Sequence, residues 1–438
     1  MKSLKDSDEK IISGFKSFAE KEMFDLCRSI TGKGIKKSLN LIKKKFKKLS
    51  IYKIKSGSIV FDWKIPPEWD IKKAYILDKN KKKIIDFKNN NLHLVNYSIP
   101  INKILKRDEL LKKIYSLQAQ PNAIPYVTSY YKRDWGFCCD YNTKKRLLKD
   151  YKKDDFFKVV IESTHNQKGY LNYGEIYLPG KSKQEILIST YLCHPSMANN
   201  ELSGPIVSMS LIKYFMKKKL NKSLRFIFIP ETIGSIAWIA KNYNHIKNNI
   251  IGGYNLSCIG DEKSYSFVES KDKKSLFVRY LVKEYKRRKI KYKKYSFLKR
   301  GSDERQFNSP GIDLPIVTVS RTKFGEYKEY HTSLDNFDLV TNKGLLGGFK
   351  IVKSAIENIL KLKIPKSTLL CEPHLSKYNL YNSINFKSQK NLSMDYLNFL
   401  QYSDGTRTIE EISKEIKLKN SKSKQICKIL EKNKLLTI

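Results

Sequence analysis

The sequence predicts an α/β protein with a mostly parallel sheet that is covered by helices on both faces. Strand-like apolar runs alternate with helical segments between residues 184 and 363. EILISTYLCH, SLRFIFIPE and LPIVTVSR are strand-like, and GPIVSMSLIKYFMKKK and KGLLGGFKIVKSAIENILKL have a helical pattern. Because this alternation is typical of strand–helix–strand units, it favours a parallel sheet over an all-β or all-α fold.

The segment before this region has a different sequence pattern. From about residue 58, short alternating runs such as SIVFDWKIP and HLVNYSIPI are separated by turn residues, which predicts a β-rich module. We therefore expect an inserted β-rich domain at 58–154 within a larger domain formed by 8–57 and 155–363. KVVIEST and LNYGEIYLPG are expected to form a further hairpin after this module.

The last segment predicts a separate helical module at 364–438. It begins with IPKSTLLCEPHLSKYNLYNSINFKSQKN, which has no clear period and reads as a linker or packing segment. Three short amphipathic helices follow, and their lengths and spacing are typical of a winged-helix or helix-turn-helix unit. Its polar positions carry both lysines and glutamates, so packing or dimerisation is favoured over DNA reading, and a homo-oligomer stays open.

Charge and composition restrict the other classes. The chain has 86 Lys and Arg against 43 Asp and Glu, with a net charge of +43. Because the lysines are spread over the whole length, a solvated surface is favoured and nucleic acid is an allowed but unfavoured partner. No apolar run is long enough to span a membrane and the N-terminus does not resemble a signal peptide, so we expect a cytoplasmic protein without a membrane partner. The seven cysteines form no CxxC pair, which predicts free thiols.

The candidate site lies at the ends of the predicted strands. In a parallel α/β sheet, ligands bind beyond the carboxyl ends of the strands. His194 and Glu231 end two of these strands, Asp261 ends a third, and His331 lies in a polar loop after a fourth. Asp303 is close in sequence to that loop. Two histidines and two or three carboxylates form a nitrogen and oxygen set that suits zinc, with one carboxylate left as a base.

Several longer motifs resemble a known family. CHPSMANNELSGP, IPETIGS, CIGDE, RGSDERQFNSPGIDLP and GEYKEYHTSLDN are similar to segments of the aminopeptidase-like domain family, which is related to the co-catalytic zinc aminopeptidases. SITGKGIKKSLNLI, IPYVTSYYKRDWGFC and LNYGEIYLPG resemble the same family's opening region and inserted β-domain, and the C-terminal segment resembles its winged helix. The resemblance covers nearly the whole chain and implies a zinc-aminopeptidase-like fold.

The resemblance also implies roles for particular residues. His194 and His331 fall on the first and last zinc-ligand histidines, and Glu231 falls on the glutamate that serves as the general base. Thr232 stands where the aminopeptidases have a second glutamate. For the later ligand aspartate, Asp261 is one counterpart and Ser257 the other.

One position departs from the family pattern. The family reads ANDNLSG, and its aspartate bridges two metal ions, whereas this chain reads ANNELSG. Asn200 therefore stands at a metal-ligand position, with Glu201 one residue later. A neutral amide binds zinc poorly and cannot hold two cations together by charge. We expect one or two zinc ions, with the second held weakly unless Glu201 supplies the missing anion.

These observations lead to two hypotheses. The first is a zinc-dependent amide hydrolase, most simply an aminopeptidase, in which zinc activates a water and Glu231 takes its proton. Its substrate would be a peptide or an amide-bearing small molecule, because the family is linked to surface-polysaccharide and modified-sugar biosynthesis. The alternative is a weak or inactive peptidase-like protein that binds a ligand or regulates through its winged helix. Asn200 and Thr232 favour this alternative.

Overall fold

The strands of the central domain and the inserted module follow the predicted order along the chain. The computed structural model describes residues 2–381 and 392–438. Its strands are β1 (Ser50–Lys55), β2 (Ile59–Val60), β3 (Trp63–Lys64), β4 (Glu68–Leu77), β5 (Lys83–Asp86), β6 (Ile101–Lys106), β7 (Ile114–Tyr115), β8 (Phe137–Cys138), β9 (Phe156–Asn166), β10 (Tyr170–Leu178), β11 (Ser182–Tyr191), β12 (Lys222–Ile229), β13 (Ile250–Leu256), β14 (Ser266–Val268), β15 (Lys293–Tyr295), β16 (Ile316–Ser320), β17 (Lys366–Ser367) and β18 (Leu436–Thr437).

Helices cover the strands and also form the C-terminal module. They are α1 (Lys2–Phe18), α2 (Lys33–Lys45), α3 (Arg107–Leu111), α4 (Tyr141–Asp150), α5 (Ser203–Phe215), α6 (Ile233–Asn249), α7 (Leu276–Arg287), α8 (Glu304–Phe307), α9 (Asn342–Leu360), α10 (Leu392–Gln401), α11 (Ile409–Glu415) and α12 (Asn420–Lys432). A π-helical turn, Ala198–Leu202, immediately precedes α5.

The central sheet has eight strands in the order β1-β10-β12-β11-β13-β16-β14-β15. Strands β12, β11, β13 and β16 are parallel to one another, and β10 and β14 run antiparallel to their neighbours β12 and β16. In the register of the middle strands, Ile188 pairs with Phe226 on one side and with Tyr254 on the other. The four parallel strands share one carboxyl edge. The predicted α/β fold class is confirmed.

Each face of the sheet has its own apolar core. Side chains alternate between the faces of a strand, and on β11 Ile186 and Ile188 point into one core while Leu187 points into the other. The first core also contains apolar residues of α1, α2, α5, α7 and α9, and the second contains residues of α6. Because both faces of β11 and β12 are covered, these strands are apolar along nearly their whole length.

The β-rich module forms a separate four-stranded sheet in the order β5-β4-β9-β6. Strand β9 belongs to this sheet, but β10 pairs with β1 and β12 in the central sheet. The expected hairpin of these two segments is therefore divided between two sheets. The module also contacts the central domain through an isolated β-bridge between Pro125 and Thr332. The division of the chain at residue 154 stays a prediction.

The C-terminal module consists of α10, α11, α12 and the pair β17–β18. Phe399, Ile412 and Leu430 are fully buried in its core. It contacts the central domain through an ion pair between Arg279 and Glu411. Residues 382–391 of the expected linker lie outside the described residues. In the part of the chain that the structure describes, helices are too short or too polar to cross a membrane.

Candidate active site

The ends of the parallel strands bring three of the expected residues into one cavity. His194 follows β11, Glu231 follows β12, and His331 lies in the loop between β16 and α9. Nε2 of His194 lies 3.7 Å from a carboxylate oxygen of Glu231, and the two histidine rings are 5.6 Å apart. We call this cavity the catalytic cavity because it is the candidate site of catalysis. It has a volume of about 290 Å³, and its wall includes His194, Glu231, His331, Tyr126, Tyr130, Tyr131 and Trp63.

A buried ion pair orients His194. Nδ1 of His194 lies 2.8 Å from one oxygen of Glu201, and the other oxygen of Glu201 accepts from Nε of Arg28 at 3.0 Å. The same Nε of Arg28 donates to the backbone oxygen of His194 at 2.9 Å. The side chains of Arg28 and Glu201 are fully buried. Because Nδ1 is occupied by Glu201, Nε2 is the nitrogen that His194 presents to the cavity.

Glu201 therefore has a different position from the one that a displaced bridging anion would need. Both of its oxygens are occupied, one by His194 and one by Arg28. The atoms of Cys193, His194 and Glu201 that can bind a metal lie within 4.8 Å of one another. A cation among them would displace His194 from Glu201 and would lie close to the buried guanidinium of Arg28. The free Nε2 of His194 is the better position for a metal, on the side facing the cavity.

Glu231 is held by the loop that precedes α8. Ser302 donates to one oxygen of Glu231 at 2.8 Å. The next residue, Thr232, has left-handed backbone geometry with φ +65°, and its N–H donates to Asp303 at 2.8 Å. Ser235 donates to the same oxygen of Asp303 at 2.8 Å. These contacts fix the sharp corner after β12, so that the Glu231 carboxylate points into the catalytic cavity.

Burial shifts the pKa values of the two carboxyl groups at this corner, Glu231 and Asp303. It raises the pKa of Glu231, although the nearby His194 and the Ser302 hydroxyl oppose the shift. Burial, together with the neighbouring Glu231, raises the pKa of Asp303 to about 8. A carboxylate with a raised pKa holds a proton more readily near neutral pH, which is the property that a general base needs.

His331 presents an unused ring nitrogen. Its Nε2 is buried and has no hydrogen-bond partner among the described residues. Tyr330 stacks on the ring at 3.9 Å, and Tyr126 makes an edge contact with both His331 and His194. Burial, with a smaller effect of His194, lowers the pKa of His331 to about 3. The neutral imidazole therefore has a lone pair available for a ligand, and a buried orphan nitrogen of this kind fits a metal.

Asn200 belongs to a second group, here called the Asn200 cluster, which comprises Asn200, Tyr191, Ser257, Cys258 and Asp335. The amide oxygen of Asn200 accepts from the Tyr191 hydroxyl at 3.0 Å, and that hydroxyl lies 2.7 Å from the Ser257 hydroxyl. The backbone N–H of Asn200 donates to Asp335 at 2.9 Å. Burial raises the pKa of Asp335 to about 6, against the hydrogen bonds that it accepts. The side chains of Asn200 and Asp335 are hydrogen-bonded within the cluster and to Met197 and Tyr327, so the cluster offers no free carboxylate.

Asp261 has a different environment from the other predicted ligands. Its carboxylate accepts from the Thr322 hydroxyl at 2.6 Å and from the Asn199 amide at 3.1 Å. The strand β13 ends at Leu256, and the chain turns at Cys258, where φ is +50°. Because of this turn, the structure brings together His194, Glu231 and His331 but places Asp261 in a hydrogen-bonded loop network outside the cavity wall.

Sequence reasoning missed several residues that shape the site. Arg28 gave no signal, since its contacts are with residues far away in sequence. Asp335 lies in the motif that contains His331, and it caps the turn Ala198–Leu202 by accepting from three backbone N–H groups. Tyr126 and Tyr130 come from the β-rich module, and their hydroxyls are 2.7 Å apart. The scarcity of carboxylates in this basic chain was the one available signal, and it applies to Asp335.

The fold is aminopeptidase-like. The fold resembles BSAP, a zinc aminopeptidase from Bacillus subtilis, with a TM-score of 0.58 and 14% identity over 81% of this chain and 95% of that one. It also resembles a peptidase M28 precursor from Shewanella amazonensis, with a TM-score of 0.53 and 9% identity over 84% and 99% of the two chains. At these identities the likeness concerns the fold.

Comparison of the sequence identifies the family of this chain, which the likeness in fold does not. Residues 18–361 match the family described as a domain of unknown function, DUF4910, and residues 363–438 match a winged helix-turn-helix family. The chain belongs to the DUF4910 family. A Clostridium acetobutylicum protein, named for polysaccharide biosynthesis and an aminopeptidase-like domain, is 40% identical over 83% of this chain and 82% of its own. A crystal structure from the same organism, named as that of a peptidase, matches with a TM-score of 0.78 and 35% identity over 99% and 98%.

Proposed function

We propose that this protein is a zinc-dependent amide hydrolase. The observation that supports the proposal best is that two histidines of the cavity wall, one with an unpartnered Nε2, meet a carboxylate whose pKa is raised. His194 and His331 would hold the zinc ion through Nε2. When bound there, zinc polarises an amide carbonyl and lowers the pKa of a water molecule. The proposal assigns one strong zinc position, because the Asn200 cluster offers no charge to hold a second.

Glu231 is the proton carrier in this proposal. Ser302 occupies one of its oxygens, and the other faces His194 across 3.7 Å. The free oxygen would take a proton from the attacking water and hold it until the leaving amine departs. Its raised pKa supports both steps, since a carboxylate with an ordinary pKa holds a proton poorly at neutral pH.

The aromatic wall restricts the substrate and excludes water. Tyr126 contacts both histidine rings, and its hydroxyl is hydrogen-bonded to Tyr130. A cavity of about 290 Å³ admits a small amide-bearing group rather than a folded protein. The names of the Clostridium relatives support a peptide or an amide on a modified sugar as the substrate, and polysaccharide biosynthesis as the context. A cytoplasmic location stays a prediction.

A second function has one observation in its favour. The outer face of α12 is exposed and basic, with Lys424, Lys428 and Lys432 pointing away from the module's core. In the helix-turn-helix pair α11–α12, α12 is the second helix, and a free basic face on that helix is compatible with binding to nucleic acid. A ligand-binding regulator with a silent peptidase-like domain would use the same two parts. The free His331 nitrogen and the raised pKa of Glu231 favour catalysis over this alternative.

Turnover separates the two functions. The full-length protein, stripped with a chelator and reloaded with zinc, would be given aminoacyl amides and N-acetylated amino sugars, and the released amine or acid would be measured. The hydrolase proposal expects release that depends on zinc and disappears in Glu231→Gln. Zinc binding without release from any of these compounds, together with salt-dependent DNA retention, would support the regulator instead.

A further inference from the structure

A second cavity adjoins the catalytic cavity. It has a volume of about 290 Å³, and we call it the basic pocket after six of its wall residues: Lys64, Tyr97, Tyr131, Lys132, Arg133 and His165. Tyr131 belongs to the walls of both cavities, so the two cavities adjoin at this side chain.

The charge in the basic pocket is largely uncompensated. Within the described ranges, neither Lys64 nor Arg133 has a carboxylate in ion-pair range, and the ammonium of Lys132 lies 3.4 Å from Asp134, which also binds Lys113. The pocket wall contains no carboxylate. Burial lowers the pKa of His165, the Tyr97 carbonyl opposes this shift, and the charge of Arg133 adds a smaller lowering effect.

Other lysines near the β-rich module have carboxylate partners. Lys36 contacts Glu68 at 2.5 Å, and Lys73 contacts Glu162 at 2.8 Å. The cations of the basic pocket differ from these because they line a concave surface and keep their charge free. A concave surface lined by one sign of charge concentrates the field and attracts ions of the opposite sign.

The pocket floor is rigid. Tyr97 donates its hydroxyl to the backbone oxygen of Pro67, and its ring stacks on Trp69 at 5.8 Å. His165 makes an edge contact with Tyr97 at 5.3 Å. On the other side, Tyr131 has left-handed geometry with φ +63° and contacts Trp63 at 5.4 Å. Because these side chains are already fixed by packing, binding an anion would cost little conformational entropy at the floor.

We infer that the basic pocket is an anion subsite for the substrate whose amide occupies the catalytic cavity. This inference rests on the proposed function, because that function makes the adjoining cavity the place of reaction. The substrate class is then an anionic amide, in which the group on the far side of Tyr131 is a phosphate or a carboxylate. Arg133 and Lys64 bind that group by charge-assisted hydrogen bonds. The catalytic cavity has Glu231 as its one carboxylate and therefore lacks a second one for an α-ammonium group.

Binding of inorganic phosphate tests the subsite directly. Calorimetric titration of the full-length protein should give saturable binding, and the double variant Lys64→Gln/Arg133→Gln should weaken it by about tenfold or more. The matched control is Lys273→Gln/Lys274→Gln, which removes the same charge from an exposed loop before α7 and should stay within about twofold of wild type. Absence of phosphate binding in the wild type, or equal weakening in both variants, would overturn the inference.

Kinetics with three amides identify the source of the anion. An N-acetylated amino sugar, its phosphate ester and the corresponding uronic acid would be compared by amine release. We expect a KM at least about tenfold lower for one of the anionic compounds than for the neutral sugar, and the double variant should remove this preference. Equal KM values for all three in the wild type would overturn the inference. If the wild type hydrolyses none of them but binds phosphate as expected, the proposed function fails and the anion site stands.

Discussion

The catalytic cavity and the Asn200 cluster lie side by side at the same sheet edge, but they differ in whether their buried polar groups have hydrogen-bond partners. In the cavity, Nε2 of His331 has no hydrogen-bond partner in the described chain, and Glu231 has a raised pKa. In the cluster, Asn200 accepts from Tyr191 and its backbone donates to Asp335. Unsatisfied buried groups are costly and tend to mark places where a ligand binds. The difference supports the proposal of one metal position in the cavity and none at the Asn200 cluster.

Charge is the reason that we expect no second metal ion at the Asn200 cluster. Two divalent cations a few ångströms apart repel each other, and a bridging carboxylate offsets part of that repulsion. Asn200 supplies no charge, and the only nearby acid of the cluster, Asp335, is used to cap the turn Ala198–Leu202. The neighbouring carboxylate, Glu201, is neutralised by Arg28 behind His194. In this chain, Asp335 and Glu201 therefore hold the turn and His194 through hydrogen bonds and supply no free charge beside Asn200.

The largest effect is expected from loss of His331. The variant His331→Ala removes a cavity-facing nitrogen, so zinc content should fall to near background and amide hydrolysis should fall with it. Metal analysis of the purified variant checks the first part and amine release checks the second. The matched control is His374→Ala, an exposed histidine far from the sheet edge in sequence, which should keep both properties. Full zinc content in His331→Ala would show that the metal is held elsewhere.

The next largest effect is expected from Glu231→Gln. The amide keeps the size of the side chain and its contact with Ser302 but cannot carry a proton. Turnover should fall by about 10²- to 10⁴-fold, because that is the usual contribution of a general base. Zinc content should remain at the wild-type level, since the proposal gives the metal to the two histidines. A variant that loses zinc in parallel with activity would make Glu231 a ligand and not a base.

Glu201→Gln tests the support behind His194. It leaves the fully buried Arg28 without its charged partner, so unfolding free energy should fall by about 3–5 kcal/mol in urea titrations. Zinc affinity should fall by about 10- to 100-fold, because Nδ1 of His194 loses its carboxylate.

A matched control exists at the other end of β11. Glu185 is also buried, and it pairs with Arg225 at 2.7 Å. Glu185→Gln should lower stability but leave zinc affinity unchanged. If both variants weaken zinc binding equally, the effect of Glu201 is one of general stability and not of ligand orientation.

The smallest effect concerns the pH dependence of the Asn200 cluster. The pKa of Asp335 is raised to about 6 in the folded protein. A raised carboxyl pKa means that the folded state binds the proton more tightly than the unfolded state does. Protonation of Asp335 therefore stabilises the folded state at low pH, and this contribution is lost as the pH rises through 6. Between pH 5 and pH 8 the loss should be about 1–2 kcal/mol. Urea titrations of wild type and Asp335→Asn at several pH values give the slope of the unfolding free energy against pH. An equal slope in the variant would contradict the raised pKa of Asp335.

The parts of the site that depend on strand ends could be predicted from sequence. His194 and Glu231 directly follow apolar runs, and a parallel sheet places such positions at one edge. Asp261 fails this rule because β13 ends earlier, at Leu256, and the chain turns at Cys258 before Asp261 is reached. An apolar run shows roughly where a strand ends but does not show a left-handed turn at a cysteine.

The parts that depend on long-range contacts could not be predicted. Arg28 reaches Glu201 from the first helical region, and Tyr126 reaches the histidines from the β-rich module through the bridge between Pro125 and Thr332. Neither contact leaves a local pattern, since both depend on how separate sheets pack. The identity of residue 201 was visible, but its partner decides whether it is a metal ligand or a support for His194.

Zinc stoichiometry tests the comparison between the two regions most directly. The full-length protein would be saturated with zinc, freed of excess ion by gel filtration, and analysed for metal per chain. We predict one equivalent, held by His194 and His331, with the Asn200 cluster remaining empty of metal. Two tightly held equivalents, or one equivalent that survives in His331→Ala, would contradict the proposal of one metal position in the cavity and none at the Asn200 cluster.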